Sequence, residues 1–207
     1  MDKMAKKDLS KEMQVLYFPP SKEPIEVRVP KMKYLMVDGK GNPNTSEDYK
    51  EAIGALYSIS YTMKFMLKFS GKKVEHVVMP LESLWWTDKG KNFLTAEKET
   101  WNWTAMIAQP DHVTQELVDK AKAELVRKKK EVPVMDKVRL EEWEEGLSAE
   151  IMYIGPWSEE RPTIERLHKF ITDGGHKLRG RHHEIYMSDP RRVKPEKLKT
   201  VVRQPME

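Results

Sequence analysis

Glu184 and Tyr186 are the two residues of this sequence whose types and spacing could together do chemistry. They stand in the alternating run EIYM at residues 184–187, and side chains two positions apart on a strand point to the same face. A carboxylate beside a phenol could bind a cation, orient a water molecule or move a proton. The alternative is a surface glutamate beside an aromatic ring whose edge is hydrated.

The composition is that of a soluble, rather polar globular protein. Its 207 residues are 39% hydrophobic and 34% charged, which suits one large domain or two small packed units. The chain contains no run of about 18 apolar residues and no secretory leader, so we expect no membrane association. The absence of cysteine fits a reducing compartment, and we expect a cytoplasmic protein. A net charge of +4, spread along the chain, argues against direct nucleic-acid binding.

The chain divides into an N-terminal arm at residues 1–24 and one domain at residues 25–207. Hydrophobic periodicity and turn residues predict the order strand, helix, strand, strand in residues 25–110. A helix at residues 111–132 follows as a linker. The same order then recurs in residues 133–207, so the sequence predicts an internal repeat.

The residues of the two repeats correspond as well as their elements. LMVDG before the first helix matches IMYIG before the second, ESLWWTD matches EIYMSD, and AMIAQP matches TVVRQP. In this alignment Glu82 corresponds to Glu184, so we expect both carboxylates to line the ligand site. The predicted fold is therefore α+β: duplicated βαββ units with pseudo-two-fold symmetry, an antiparallel sheet with helices on one face, and a ligand groove between the halves.

Four of the six tryptophans fall in one window, at residues 85, 86, 101 and 103. Trp101 and Trp103 share a strand face, and we expect them to line a pocket, although core packing is the usual fate of aromatic residues. The adjacent His182 and His183 would point to opposite faces, and no spaced third ligand is evident, so we predict no metal site. The sequence also lacks a glycine-rich phosphate loop, and we predict no cofactor.

Several stretches resemble one family. They are YLMVDGKGNPN, LYSISYTMKF, MPLESLWW, WNWTAMIAQP, GPW and HEIYMSDPRRVKPEKLKTVVRQP. With these, the chain resembles the GyrI-like small-molecule-binding proteins, in a stand-alone branch whose members hydrolyse cyclopropane-bearing DNA-alkylating toxins. The resemblance implies a duplicated βαββ fold with a pocket between the halves.

The resemblance also assigns residues. It implies that Glu184 occupies the acidic position of the family, and that Tyr153 and Tyr61 are phenols that handle protons or orient the ligand. Trp157 stands where a tyrosine often follows Gly-Pro, which leaves the role of that position open. The aromatic lining that the resemblance implies consists of Trp85, Trp101 and Trp103.

Two functions from different classes follow. The first is a cofactor-free hydrolase in which Glu184 activates water against a cyclopropane carbon while a tyrosine hydroxyl stabilises the developing phenolate. The second is a non-catalytic module that binds or senses cationic aromatic ligands, with glutamate as the counter-charge. We expect no helix-turn-helix segment, which argues against a regulator. A third, weaker alternative is inhibition of a DNA-handling enzyme. We expect a monomer or homodimer whose partner is a planar aromatic or amphipathic small molecule.

Overall fold

The computed structural model describes residues 6–70, 75–88 and 93–207 of the chain. Six long strands and three long helices make up the body of this part. The strands are β2 (Ile25–Lys40), β4 (Leu81–Thr87), β5 (Trp101–Gln109), β6 (Arg139–Ile154), β7 (His182–Tyr186) and β8 (Lys199–Pro205). The helices are α3 (Glu47–Phe69), α4 (Gln115–Arg127) and α5 (Arg161–Asp173). The shorter elements are β1 (Lys6–Lys7), α1 (Leu9–Glu12), α2 (Gln14–Tyr17) and β3 (Glu75–His76).

The six long strands close into a barrel in the order β2-β5-β4-β7-β8-β6, and every neighbouring pair is antiparallel. The pairing of β2 with β6 closes the ring, for example where Val27 lies opposite Ser148. The predicted α+β class with an antiparallel sheet is confirmed. The closure was not foreseen: one face of the sheet is enclosed as the barrel interior.

The order strand, helix, strand, strand occurs twice. β2, α3, β4 and β5 form the first unit, and β6, α5, β7 and β8 form the second, with α4 between them where the linker helix is predicted. In the ring β4 lies beside β7, and β2 lies beside β6, so two of the three pairs of corresponding strands are neighbours. The superposition of the two units about a two-fold axis stays a prediction. In the predicted N-terminal arm, residues 1–5 lie outside the described part.

The helices begin where the sequence supplies caps. The Oγ of Ser46 accepts a hydrogen bond from the amide of Tyr49 at 3.2 Å, and the Oγ1 of Thr114 accepts one from that of Leu117 at 3.3 Å. Pro162 stands in the first turn of α5, where its missing amide costs nothing. None of the helices in the described ranges is long and apolar enough to cross a membrane.

Both long outer helices pack on the outside of the barrel. α3 lies on β2 and β5, and α5 lies on β6 and β8. The strands β4 and β7 lie between these two helices, so the outer face of β4 and β7 forms the floor of a strip that we call the groove.

Candidate active site

The cross-strand register decides which side chains face the groove. Ser83 on β4 lies opposite Glu184 on β7, and Trp85 lies opposite His182. Directly opposed residues of two antiparallel strands share a face. The hydroxyl of Tyr49 on α3 lies 2.7 Å from the Oγ of Ser83, so this set of side chains is on the helix-covered, outer face.

Glu184 lies at the centre of the groove, where its side chain is only 13% exposed. Its Oε2 accepts a hydrogen bond from the hydroxyl of Tyr186 at 2.7 Å. Its Oε1 lies 3.3 Å from the Nε2 of His182, yet this contact is not aligned as a hydrogen bond. The structure thus brings together the carboxylate and the phenol that the strand pattern placed on one face.

Tyr186 is kept protonated by its surroundings. Burial first, and then the charge of Glu184, raise the pKa of its phenol well above the ordinary value of 10.0. The indole of Trp157 packs edge-on against the ring, with 5.5 Å between the ring centroids. Tyr186 is therefore a fixed hydrogen-bond donor at neutral pH.

A chain of aromatic rings forms one wall of the groove. The centroid distances are 5.4 Å from Tyr49 to Trp85, 5.5 Å from Trp85 to Trp101, and 5.6 Å from Trp101 to Phe93. Phe93 stacks on His182 at 4.6 Å, which joins the wall to β7. Trp85, which is 2% exposed, and Trp101 belong to this row of rings, and their contact with a ligand stays a prediction.

Trp103 lies deeper than the other tryptophans. It is only 1% exposed, and Tyr49 packs on it with 5.0 Å between the ring centroids. On its other side lies Gly39, where a Cβ atom would come within 2.1 Å of the indole. The ring fills the space under Tyr49, because Gly39 lets the indole lie directly on β2. Its predicted place in the pocket lining stays a prediction.

Glu160 is a groove residue that our reading of the sequence missed. It is 3% exposed at the start of α5, and its Oε1 makes no hydrogen bond within the described part of the chain. Burial first, and then the charge of Glu184, raise the pKa of its carboxyl well above the ordinary value of 4.5. The signal that could have found it is Pro162, which fixes the start of the helix.

Tyr153 and Tyr61 do not contact Glu184. The hydroxyl of Tyr153 donates a hydrogen bond to the carbonyl oxygen of Pro156 at 2.8 Å. Tyr61 is 45% exposed on α3, in a stack whose ring centroids lie 6.2 Å and 6.5 Å away at Tyr57 and Phe65. Tyr153 borders the site through Glu160, whose charge acts on its phenol, whereas Tyr61 belongs to an exposed aromatic stripe.

Glu82 lies on the other side of the sheet from Glu184. It is opposed to Ile185 in the register, so it points into the barrel interior, where it is 0% exposed. Its Oε2 lies 3.0 Å from the Nε2 of His183, and its Oε1 accepts a hydrogen bond from the hydroxyl of Tyr17 at 3.2 Å. Its predicted place beside the ligand is corrected, because successive strand residues face opposite ways.

Glu82 belongs to a charged cluster inside the barrel, which we call the interior network. The Nδ1 of His183 lies 3.0 Å from Glu145, and Arg203 reaches Glu145 at 3.1 Å and Glu150 at 2.7 Å. The Nη2 of Arg203 also donates to the carbonyl oxygen of Leu16 at 2.7 Å. The network combines two basic side chains with three carboxyl groups, so it is neutral when one carboxyl keeps its proton.

The pKa values of the network follow from this imbalance. Burial raises the pKa of Glu150 to about 7, against the opposing charge of Arg203. Burial would lower the pKa of His183, but Glu145 and Glu82 outweigh it and raise the value to about 9. The interior network is therefore a closed, nearly neutral cluster of structural ion pairs.

A cavity of about 660 Å³ opens at one end of the barrel rather than in the groove. Trp86 and Trp143 contribute to its walls, together with Arg139 and Arg181. The guanidinium of Arg181 stacks on Trp86 at 3.7 Å from the ring centroid. Within the described ranges, no group of three His, Cys, Asp or Glu side chains could hold a metal ion.

Comparison with known proteins identifies the relatives of the chain. Residues 22–206 match the family model of the GyrI-like small molecule binding domain. An uncharacterized conserved protein from Listeria innocua is 38% identical with a TM-score of 0.89, over 98% of this chain and 100% of that chain. Two structures of hydrolases from Listeria innocua cover the same shares, at 38% identity with a TM-score of 0.84 and at 37% with 0.86. No curated protein matches this chain.

Proposed function

This chain belongs to the GyrI-like small-molecule-binding family, and from that premise we propose that it is a cofactor-free hydrolase that opens cyclopropane-bearing, planar aromatic alkylating agents. The observation that carries the proposal is Glu184, a nearly buried carboxylate held at the centre of an aromatic groove. The similar Listeria innocua proteins that are named as hydrolases support the reaction class.

Glu184 is placed to act as a general base. Its Oε2 is fixed by the hydroxyl of Tyr186, while Oε1 makes no aligned hydrogen bond with His182. That oxygen can accept a proton from a water molecule, which then attacks a carbon of the strained ring. The electrons of the broken carbon–carbon bond pass to a conjugated carbonyl oxygen, which develops phenolate character.

The walls of the groove suit a flat, largely apolar substrate. Trp101 and Phe93 stand at its margin as partly exposed rings, and Trp157 covers Tyr186 from the other side. Aromatic rings stack on planar molecules and keep bulk water away from the reacting carbon. A site of this kind needs no metal or cofactor, because ring strain supplies the driving force and the carboxylate supplies the base.

Substitution of Glu184→Gln tests the proposal. The amide keeps the size of the side chain but cannot accept the proton, so we expect turnover of a neutral spirocyclopropane dienone to fall roughly 10²–10⁴-fold. Product formation is measured by chromatography, and binding by quenching of tryptophan fluorescence. Glu159→Gln, at an exposed neighbour of the site, is the control that should keep full turnover. Full turnover by Glu184→Gln would overturn the assignment.

A second candidate function is sequestration of a cationic aromatic ligand. It is favoured by the presence of two carboxyl groups, Glu184 and Glu160, beside aromatic rings. In that case Glu184→Gln should weaken the binding of ethidium and leave a neutral planar compound almost unaffected. The same variant therefore separates the two functions by the ligand that responds.

A further inference from the structure

Glu160 has an unusual environment for a glutamate at the start of a helix. A carboxylate at a helix N-terminus ordinarily gains stability from the free backbone amides there. Glu160 makes no such side-chain hydrogen bond. Its carbonyl oxygen accepts the hydrogen bonds from the amides of Thr163 and Ile164, at 2.9 Å and 3.2 Å. The side chain is thus turned away from the cap position that would stabilise its charge.

The carboxyl is instead directed into the groove. The single turn at Trp157–Glu159 carries the indole of Trp157 onto Tyr186 and buries the next residue, Glu160. The charge of Glu184 acts on the Glu160 carboxyl, and the charge of Glu160 acts on the phenols of Tyr186 and Tyr153, so this carboxyl lies in their neighbourhood. With Oε1 buried and without a hydrogen-bond partner in the described part of the chain, the group is free to bind something that the groove receives.

We propose that Glu160 is the proton donor of this site and gives its proton to the substrate carbonyl oxygen while Glu184 takes a proton from the attacking water. This inference rests on the proposed hydrolase function and names the acid that the function requires. It also assigns different roles to two carboxyl groups that lie in one groove.

The protonation states agree with these roles. An unpaired carboxylate is costly to bury, and the negative charge of Glu184 nearby adds to that cost, so the pKa of the Glu160 carboxyl is raised well above its ordinary value. Glu184 has the hydroxyl of Tyr186 as a hydrogen-bond donor, and no donor in the described part of the chain reaches the buried Oε1 of Glu160. The difference in hydrogen bonding therefore decides which of the two is the base.

The reaction balances with these two groups alone. One O–H bond of water breaks, its proton moves to Glu184, and the oxygen forms a bond to the cyclopropane carbon. The carbon–carbon bond of the ring breaks, and its electron pair passes through the conjugated system to the carbonyl oxygen, which takes the proton of Glu160 and becomes a phenol. Transfer of one proton from Glu184 to Glu160 then restores both groups, and no oxidant or reductant takes part.

The groups that face Glu160 define the expected pH dependence. They are Glu184 and Tyr186 from β7 and Tyr153 from β6, with the exposed Glu159 beside it in the chain. The two phenols keep their protons at neutral pH because burial raises their pKa values. Loss of the Glu160 proton should therefore appear as a fall in turnover on the alkaline side of the optimum.

The test compares Glu160→Gln with Glu159→Gln on two spirocyclopropane dienones whose phenol products differ in acidity. We expect Glu160→Gln to lower turnover about 10²-fold or more with the substrate that gives the less acidic phenol, and clearly less with the other, whose oxygen needs the proton less. The alkaline fall in the pH profile should disappear in this variant, and Glu159→Gln should behave as the unsubstituted protein. Infrared spectra at neutral pH should show one protonated carboxyl fewer in Glu160→Gln than in Glu184→Gln, beside the signal of Glu150, which all variants share.

The outcomes distinguish the role of Glu160 from the proposed hydrolase function on which it rests. If Glu184→Gln loses turnover while Glu160→Gln keeps it, the site is a hydrolase and Glu160 is not its acid. Equal losses of Glu160→Gln with both substrates, with the alkaline fall retained, would make Glu160 a structural residue and also overturn the proposal. If the unsubstituted protein does not turn over either substrate, the hydrolase function itself fails, and the proposal with it.

Discussion

The two faces of the same sheet carry glutamates in opposite situations. Inside the barrel, Glu145 contacts both His183 and Arg203, and Glu82 is bonded to His183 and Tyr17. In the groove, Oε1 of Glu160 is buried without a partner in the described part of the chain; Oε1 of Glu150 inside the barrel is unpaired as well, but Oε2 of Glu150 accepts a hydrogen bond from Arg203. Removal of one partner from a buried ion pair is strongly destabilising, and a buried carboxyl left without any partner costs free energy.

The comparison indicates which part of the protein is locally less stable. Among the described side chains, several of the buried polar atoms without a hydrogen bond belong to groove residues, including the Nε1 of Trp85 and both ring nitrogens of His182. Unpaired polar groups that gather at one place are typical of a site that is completed by a ligand. The interior network keeps the strands in position, and the groove is left for binding.

The strongest test of the comparison is removal of the central cation of the interior network. Arg203→Met leaves Glu145 and Glu150 buried without their partner, so we expect the free energy of unfolding to fall by about 3–5 kcal/mol. Urea unfolding followed by circular dichroism measures it. Arg161→Met, which breaks an exposed pair with Glu165, is the matched control and should cost less than about 1 kcal/mol. Equal small losses would show that the network is not structural.

Two tryptophan substitutions test which rings belong to the core and which to the groove. Trp103→Ala should lower the free energy of unfolding by about 3–5 kcal/mol, because it empties the space between Tyr49 and Gly39. Trp101→Ala should instead weaken the binding of a planar aromatic ligand by about 1–3 kcal/mol, since its partly exposed ring stands at the groove margin. Urea unfolding and fluorescence titration give the two quantities. Unchanged ligand affinity in a folded Trp101→Ala protein would remove that ring from the binding surface.

The interior network contributes to the pH dependence of stability. Folding raises the pKa of Glu150 from 4.5 to about 7 and that of His183 from 6.5 to about 9. The folded protein therefore holds these protons at pH values where the unfolded chain has lost them, and stability must fall as the pH rises through both windows. At about 1.4 kcal/mol per pKa unit, the two shifts correspond to a loss on the order of 6 kcal/mol between about pH 5 and about pH 9. His76 and His168, whose pKa values burial lowers to about 4, offset part of this loss on the acidic side.

Urea unfolding at several pH values measures this loss. Glu150→Gln should remove the part of the fall that lies below neutral pH, because the amide does not titrate. Stability that rises over the same range would show that the network is held together by different protonation states.

Local pattern was enough to find Glu184 and Tyr186, because the period of a strand fixes which neighbours share a face. The same kind of pattern gave the wrong face for Glu82. The alignment matched Glu82 with Glu184, whereas in the structure Ser83, the next residue, lies opposite Glu184 and shares its face. A shift of one residue moves every side chain to the other face of a strand. The family resemblance is confirmed by the match of residues 22–206.

Features that depend on distant contacts could not be predicted in the same way. Glu150 stands in a polar run, and only its cross-strand partner Arg203 shows why it is buried. Glu160 looks like one more surface carboxyl in the run SEER. Both are buried by elements from far along the chain, and no local periodicity contains that information.

The closure of the barrel has a consequence for the order in which the chain folds. β2 lies in the first unit and β6 in the second, and their pairing joins Val27 to Ser148. Until β6 has been synthesised, the first unit has open strand edges at β2 and β4, which are the positions where chains associate wrongly. Contacts so far apart in sequence form slowly. Ring closure should therefore be the late step of folding, and release of the chain before that step should favour aggregation over recovery.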